Sequence, residues 1–479
     1  MKRAKLLLTN IFVYGFGGII SKIIPLIMVP IITRLMPNSF YYGIADLSTT
    51  IVALFSALAL MGMYDAMYRY FFENNDDYYK IEICSSAFFF TALTATIVTG
   101  LMVVFNEPIS ALFYGDKEFG DLVILCSMSV LIGATNSIVS APTRMQNKKI
   151  LYLVMNTIAP ILSYLIAIPL IINGWHLIAL PLASLISVMT MEISFMFLNR
   201  KWFSIKHIRL SHIKSMLIIS LPLALNFLAY WVFNSSDRVM IANMLDPSQE
   251  GIYSVAGKVG HVTQLISTAF YGGWQYFAFS IMKDKDNKKL ISVIIEALFS
   301  LTFICTILGT TLCKYFMQIL FTEEYLFGYI CIPYLFMAPL LQMFLQIGSS
   351  QFMVVKKTWP NPIILGIGVA ANIGLNYILI PMLGVEGASV ATFIGYSIST
   401  LITMIALKKL NLIDISIKLI ANSAIFITIF MIMRFNEFSN IVINLILTFI
   451  FLGFNYYLYQ KQIKQLFVYV YDSIIKRNT

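Results

Sequence analysis

The sequence predicts an all-α integral membrane protein of about 14 transmembrane helices. These form two six-helix lobes, related by a parallel repeat, around a central cavity, with two further C-terminal helices. Three observations carry this reading. Hydrophobic residues make up 59% of the 479 and charged residues 12%, against about 45–50% and about 25% in soluble domains. Apolar runs of the roughly 20 residues that cross a bilayer recur along the whole chain. The short polar connections between them alternate in charge. Mean hydropathy is +0.82.

In order, the expected spans are 7–34, 41–68, 83–105, 119–140, 150–172, 176–198, 216–244, 251–280, 290–313, 327–350, 361–382, 387–407, 415–434 and 440–459. The first begins behind the basic start MKRAK. Its apolar run continues to about Leu35 without an A-x-A site, so a retained helix is expected rather than a cleaved leader. One set of alternate connections, with the two termini, holds 26 Lys/Arg; the other holds 4 (Arg34, Lys117, Lys314, Arg434) and is acidic. This bias places the basic connections and both termini in the cytoplasm, and it requires an even number of spans. Trp175, Trp202 and Trp359 fall near expected interfaces.

The chain also reads as duplicated. RLMPNSFYYGIA at 34–45 resembles NMLDPSQEGIYSVA at 243–256, and Pro37 and Pro247 are 210 apart. Lys148–Lys149 and Lys356–Lys357 are 208 apart, and Pro169 and Pro381 are 212 apart. The division expected is 1–205 for helices 1–6, 206–410 for helices 7–12, and 411–479 for helices 13–14 and a tail. Each lobe has an even number of helices, so the two share one orientation and the repeat axis runs along the membrane normal.

Other functional classes fit less well. The net charge of +10 is explained by short basic loops, not by nucleic acid. Cys84, Cys126, Cys305, Cys313 and Cys331 show no paired spacing, so neither a disulfide framework nor a metal or cofactor site is expected. The 25 methionines read as core or lipid-facing filler. Asn234-Ser235-Ser236 matches a glycosylation acceptor but lies inside a span. No DxD, HExxH or GxSxG site marks an enzyme.

The informative residues are the charges inside the spans: Lys22, Asp46, Asp65, Glu192, Asp237, Arg238 and Glu296, joined by Lys258 and His261. Each costs about 2.5–3.5 kcal/mol at mid-bilayer on insertion scales, so such residues face a bundle interior or water. In helix seven, Asn226, Tyr230, Asn234 and Arg238 recur every four residues. In helix eight, Ser254, Lys258, His261, Gln264, Thr268, Tyr271 and Gln275 share one broad face. In helix one, Asn10, Tyr14, Ser21 and Lys22 do the same. Polar stripes on these helices point to a hydrated cavity between the lobes. The alternative is structural: Asp237 and Arg238 each clamp another helix, Asp65 pairs with Arg69, His261 is a satisfied bundle histidine, and Glu192 and Glu296 reach the interface.

NSSDRVMIANMLDPSQEGIYSVAGKV resembles the helix 7–8 signature of the polysaccharide-transport branch of the multidrug/oligosaccharidyl-lipid/polysaccharide exporter superfamily, which contains the Wzx-type O-antigen and capsule repeat-unit flippases. NIGLNYILIPMLGVEGASVATFIGYSI at 372–398 resembles the helix 11–12 segment, and GMYDAMYRYFFE at 62–73 the end of helix two. The resemblance implies a bacterial inner-membrane flippase that works by alternating access. Its substrate would be an undecaprenyl-pyrophosphate-linked oligosaccharide for O-antigen, capsule or other surface polysaccharide. The implied cationic cavity matches Lys22, Arg238 and Lys258, with Arg34 and Arg69 near its two mouths. Asp65, Glu192, Asp237, His261 and Glu296 remain candidates for coupling to H+ or Na+ or for structural pairing. A polysaccharide polymerase complex is a further implied partner. Rival readings are a lipid II flippase or drug/cation antiporter of the same superfamily, a membrane polymerase or glycosyltransferase, and a scaffold.

Overall fold

The computed structural model describes residues 23–282 and 286–475; Lys22 and the rest of the first helix's expected polar stripe lie outside them. Eighteen α-helices and short 3-10 turns make up the described chain, and it contains no β-strand. They are α1 (Ile23–Leu35), α2 (Ser39–Leu60), α3 (Met63–Phe71), α4 (Asp77–Val104), α5 (Asn106–Tyr114), α6 (Gly120–Met145), α7 (Lys149–Ile172), α8 (Ala179–Asn199) and α9 (Leu210–Met244). Then come α10 (Pro247–Gly260), α11 (Gln264–Ser280), α12 (Asn287–Leu320), α13 (Glu323–Leu326), α14 (Ile332–Val354), α15 (Pro360–Leu383), α16 (Val385–Lys409), α17 (Ile417–Phe435) and α18 (Ile441–Ile475). Twelve described helices are long and apolar enough to cross a membrane. This is a multi-pass membrane protein.

Two expected spans are missing from that twelve. The first is described only from Ile23. The eighth, expected as one helix over 251–280, is broken into α10 and α11 by a 3-10 turn at His261–Thr263. The break follows from packing. A Cβ on Gly260 would come within 2.8 Å of the Leu335 Cβ, so α10 lies directly on α14, and Thr263 Oγ1 donates to the Phe336 carbonyl at 2.7 Å. The second expected span is likewise two helices. Met61 and Gly62 both have positive φ, and a Cβ on Gly62 would lie 2.6 Å from the Ser220 carbonyl of α9. Apolar residues flank the first joint, and the second falls among Lys258, His261 and Gln264, which fit one continuous helical stripe, so neither reads as the end of a span. Trp202 is buried, packing edge-on against Phe71 with centroids 5.3 Å apart.

Helix starts follow from capping. Asp76 accepts hydrogen bonds from the backbone N–H groups of Tyr78 and Tyr79, Asp246 from those of Ser248 and Gln249, and Ser416 from that of Leu419. Pro247 occupies the first turn of α10, where its missing N–H costs nothing. The connections fall alternately into an acidic and a basic set, and the two ends of the bundle are named here after them.

At the acidic end α2 crosses α10. A Cβ on Gly43 would collide with the Pro247 carbonyl, and one on Gly251 with the Ser39 carbonyl. The two backbones therefore touch. The contact is reciprocal and its equivalent positions are 208 residues apart: Ser39 and Pro247, Gly43 and Gly251, behind the N-cap residues Asn38 and Asp246. The Pro37–Pro247 match in the sequence is thus offset by two, because Pro37 precedes its cap and Pro247 follows its own. Tyr114 of α5 is buried against α2, within 2.8 Å of Ser48 Oγ. Trp231 of α9 donates to the Thr50 carbonyl, so α9 also bridges toward α2.

Candidate functional site

Less than one turn below the Gly43–Gly251 contact, α2 carries Asp46, 4% exposed. Its carboxylate receives Arg238 of α9 at 2.5 Å on Oδ2 and Lys258 of α10 at 3.1 Å on Oδ1. Each partner sits about 200 residues further along the chain, 192 and 212 residues away. Sequence reading placed Asp46 among the intramembrane charges but gave it no role. The structure makes it the residue on which two of the expected cavity cations converge. An ion pair taken out of water holds only when its geometry is good and both partners stay, so this triad ties α2 to α9 and α10.

Arg238 and Lys258 also line open space. One cavity of about 270 Å³ is bounded by Asn234, Asp237, Arg238, Tyr253, His261 and Gln264, with Thr392 and Tyr396 behind. A second, of about 330 Å³, is bounded by Arg238, Lys258, His261 and Gln264 with Pro25 and Leu26 of α1. The two share Arg238, His261 and Gln264, so they adjoin at the break in the eighth span. A guanidinium offers five N–H donors and an ammonium three; Asp46 takes one from each.

Asp237 turns the other way. Neighbouring helical residues do not share a face, and its buried carboxylate accepts from the Tyr253 hydroxyl, from Thr392 Oγ1 at 3.4 Å and from the backbone N–H of Arg238 at 2.9 Å. The chain continues: Asn372 donates to Thr392 at 3.1 Å, and Asn376 to Asn372 at 3.4 Å. This is a buried set of oxygen atoms with one formal negative charge, a chemistry suited to a proton or a small hard cation. No cluster of three or more His, Cys, Asp or Glu able to hold a metal occurs among the described residues. Tyr396 donates to Asn234 Oδ1 at 2.9 Å, closing the wall of the first cavity.

The remaining sequence candidates are dispersed. Arg34 is exposed and donates to the Ile319 carbonyl at 3.1 Å. Arg69 is exposed and faces Glu73 at 3.9 Å; the pairing with Asp65 considered from the sequence does not occur. Both acids are four residues from Arg69, but Asp65 lies in the first turn of α3, where the helix N-terminus favours a carboxylate. Glu192 is half-buried beside Thr135. Glu296 accepts from Ser416 at 3.0 Å and so helps seat α17. His261 lines both cavities. A third cleft, of about 330 Å³ between α6, α7 and α8, carries no charge. It is lined by Asn136, Ser140, Asn156, Ser163 and Tyr164, among others.

Glu250 escaped sequence reading as well. The Asp246 cap starts α10 early enough to bury it completely.

A family model described as polysaccharide biosynthesis protein matches residues 7–280, more than half of the chain. The chain belongs to the polysaccharide biosynthesis protein family. No curated protein matches this family member in sequence. Among solved structures, the lipid II flippase MurJ in an inward closed conformation is similar, with a TM-score of 0.72 at 15% identity over 94% of this chain and 100% of that one. An inward-facing multidrug resistance MATE family transporter of the MOP superfamily is similar with a TM-score of 0.58 at 13% identity over 82% and 94%. A MOP superfamily transporter from Pyrococcus furiosus is similar with a TM-score of 0.53 at 14% identity over 84% and 95%. At these identities the likeness is one of fold: this polysaccharide biosynthesis protein folds as those transporters do.

Proposed function

We propose that this protein is a flippase that moves undecaprenyl-pyrophosphate-linked oligosaccharide repeat units from the cytoplasmic to the outer leaflet of a bacterial inner membrane, for O-antigen, capsule or related polysaccharide. Its machinery is two lobes, 1–205 and 206–410, that alternate about a central site, with 411–479 appended. The basic connections and both termini lie in the cytoplasm, which makes the acidic end the outer one. The observation that carries this reading is the convergence of Arg238 and Lys258 on Asp46 beside two adjoining cavities.

The physical reasoning is one of exchange. A pyrophosphate cannot cross hydrocarbon without compensating charge, whereas a polyprenyl chain can stay in lipid. Arg238 and Lys258 supply that charge, joined by Lys22, while Arg34 and Arg69 stand toward the outer and inner mouths. A diphosphate entering the cavity competes with Asp46 for the same donors, so substrate loading loosens the tie between α2 and α9–α10. The uncharged cleft of hydroxyl and amide groups between α6, α7 and α8 suits sugar hydroxyls. The Asp237 oxygen cluster is the place for a coupling H+ or Na+, with His261 at its cavity; Asp65 and Glu192 are secondary candidates, and Glu296 seats α17 through Ser416. No catalysis is assigned, and a polysaccharide polymerase is a candidate neighbour.

The test is complementation of a flippase-deficient, glycan-producing strain. Wild type is expected to restore surface glycan, and Arg238→Ala and Lys258→Ala at matched expression are not. Equal rescue by all three would remove the cationic site. A lipid II flippase is the second reading, favoured by the fold likeness that spans all of the MurJ chain. Rescue of lipid II export but of no glycan system would select it.

A further inference from the structure

Four acidic side chains are buried among the described residues: Asp46, Asp237, Glu250 and Glu386. Three are well partnered. Asp46 has Arg238 and Lys258, Asp237 has Tyr253 and Thr392, and Glu386 has Arg434 and Tyr334. Glu250 is the exception: it is 0% exposed, no donor reaches either carboxyl oxygen, and its carboxyl lies against that of Asp46. An unpaired carboxylate shut away from water is costly, and the same group carrying a proton is far less so.

We propose that Glu250 is a proton-binding site whose occupancy decides whether Asp46 holds the α2–α10 crossing closed. The charges around it support this. Asp46 and Tyr42 face Glu250 from α2, Arg238 faces it from α9, and Lys258 stands two turns along its own helix. Tyr325 of α13 packs on Tyr42 behind them, with centroids 6.5 Å apart. Asp237 lies next along, tied to Tyr253. Fully ionised, Asp46, Asp237 and Glu250 outnumber Arg238 and Lys258 by one; with a proton on Glu250 the group is balanced. Glu250 also sits in the first turn of α10, where the helix N-terminus favours a carboxylate. That keeps the ionised form reachable when the crossing opens.

The switch follows from which helix each group rides on. Arg238, Lys258 and Glu250 belong to α9 and α10, and Asp46 to α2. With Glu250 protonated, Asp46 is the carboxylate to which both cations turn, and the crossing is held. When water at the acidic end takes the proton, the new carboxylate competes for Arg238 and Lys258 from their own side and repels Asp46. The crossing loosens; a returning proton closes it. No other bond is made or broken. The transport consequence rests on the proposed function, but the proton site itself needs no particular substrate.

The test uses spin labels on Glu118→Cys and Glu323→Cys, both exposed at the acidic end. The background is Cys305→Ser, because the other four cysteines are buried. Distances are measured in lipid nanodiscs from mildly acidic to mildly alkaline pH. The ratio of long to short distances is expected to rise about tenfold per pH unit near its midpoint, as for a single proton. Glu250→Gln, which mimics the protonated acid, is expected to stay short at every pH, and Glu250→Asp to keep a displaced titration. An unchanged titration in Glu250→Gln would overturn the proposal. So would a pH-insensitive distance in a wild-type chain that restores glycan export, leaving the flippase reading intact. A titrating distance in a chain that exports no glycan would support the proton site and count against the substrate reading.

Discussion

Gly43 of α2 and Gly251 of α10 meet backbone to backbone: a Cβ on Gly43 would lie 3.0 Å from the Gly251 nitrogen, and one on Gly251 the same distance from the Gly43 nitrogen. Each would also strike a carbonyl of the opposite helix, Pro247 or Ser39, and a carbonyl cannot rotate away as a side chain can. Gly43→Ala and Gly251→Ala are therefore expected to pry the acidic end apart. Each should cost about 1–3 kcal/mol of stability, as overpacked sites do. Thermal unfolding in detergent checks this. A wild-type melting temperature in both variants would mean that the crossing is looser than its geometry.

The Asp46 triad is expected to be asymmetric. The Arg238 side chain is 16% exposed and that of Lys258 34%, so water screens the lysine bridge more. Removing Asp46 leaves two partly buried cations without their anion, a loss of about 3–5 kcal/mol for a fully buried pair and less here in proportion to the lysine's exposure. Double-mutant cycles with Asp46→Asn should give a larger coupling for Arg238→Ala than for Lys258→Ala, within the roughly 0.5–3 kcal/mol usual for contacting residues. Equal couplings would contradict the geometry.

The account separates seating residues from transport residues. Glu296 accepts from Ser416, and a glutamine carbonyl accepts the same bond. Glu296→Gln is therefore expected to leave export within about twofold of wild type, a cost below 1 kcal/mol. Asp237→Asn is expected to abolish coupled export while the chain still folds, because Tyr253 and Thr392 can bond an amide oxygen. Surface-glycan assays at matched expression check both. Loss in Glu296→Gln with retention in Asp237→Asn would reverse the assignment.

Arg434 of α17 pairs with Glu386 of α16, which Tyr334 of α14 also reaches at 3.2 Å. Arg434→Ala is expected to destabilise by about 1–3 kcal/mol, the cost of an orphaned buried acceptor, and to make α17 and α18 more open to proteolysis. A protease-resistant Arg434→Ala chain of wild-type stability would show that packing alone seats those helices.

The helices were largely legible because apolar length and alternating loop charge report directly on bilayer thickness and topology. What lay hidden depended on tertiary contact. The joints at Gly62 and at His261–Thr263 exist because another helix presses there, and the residues on either side of each fit one continuous helix. Asp237 and Arg238 raised two readings, cavity lining or clamping. The geometry shows both features at Arg238, which lines the cavities and is clamped by Asp46. Asp46 itself was visible as a charge but not as a hub, since its partners are two hundred residues away. Glu250 was not singled out because an acid four residues past Asp246 reads as part of a connection until that cap is seen to start the helix. Arg34 and Arg69 were legible as charges near the ends of spans, where the structure leaves both exposed.

The central claim is that Arg238 and Lys258 carry the charged head of a lipid-linked repeat unit across the membrane. The most direct measurement is the leaflet position of that repeat unit in flippase-deficient cells. It compares wild type with the double variant Arg238→Gln/Lys258→Gln, whose folding is verified by thermal unfolding. The account expects repeat units to reach the outer leaflet with wild type and to stay in the cytoplasmic leaflet with the folded double variant. Outer-leaflet repeat units at wild-type levels in that variant would contradict it.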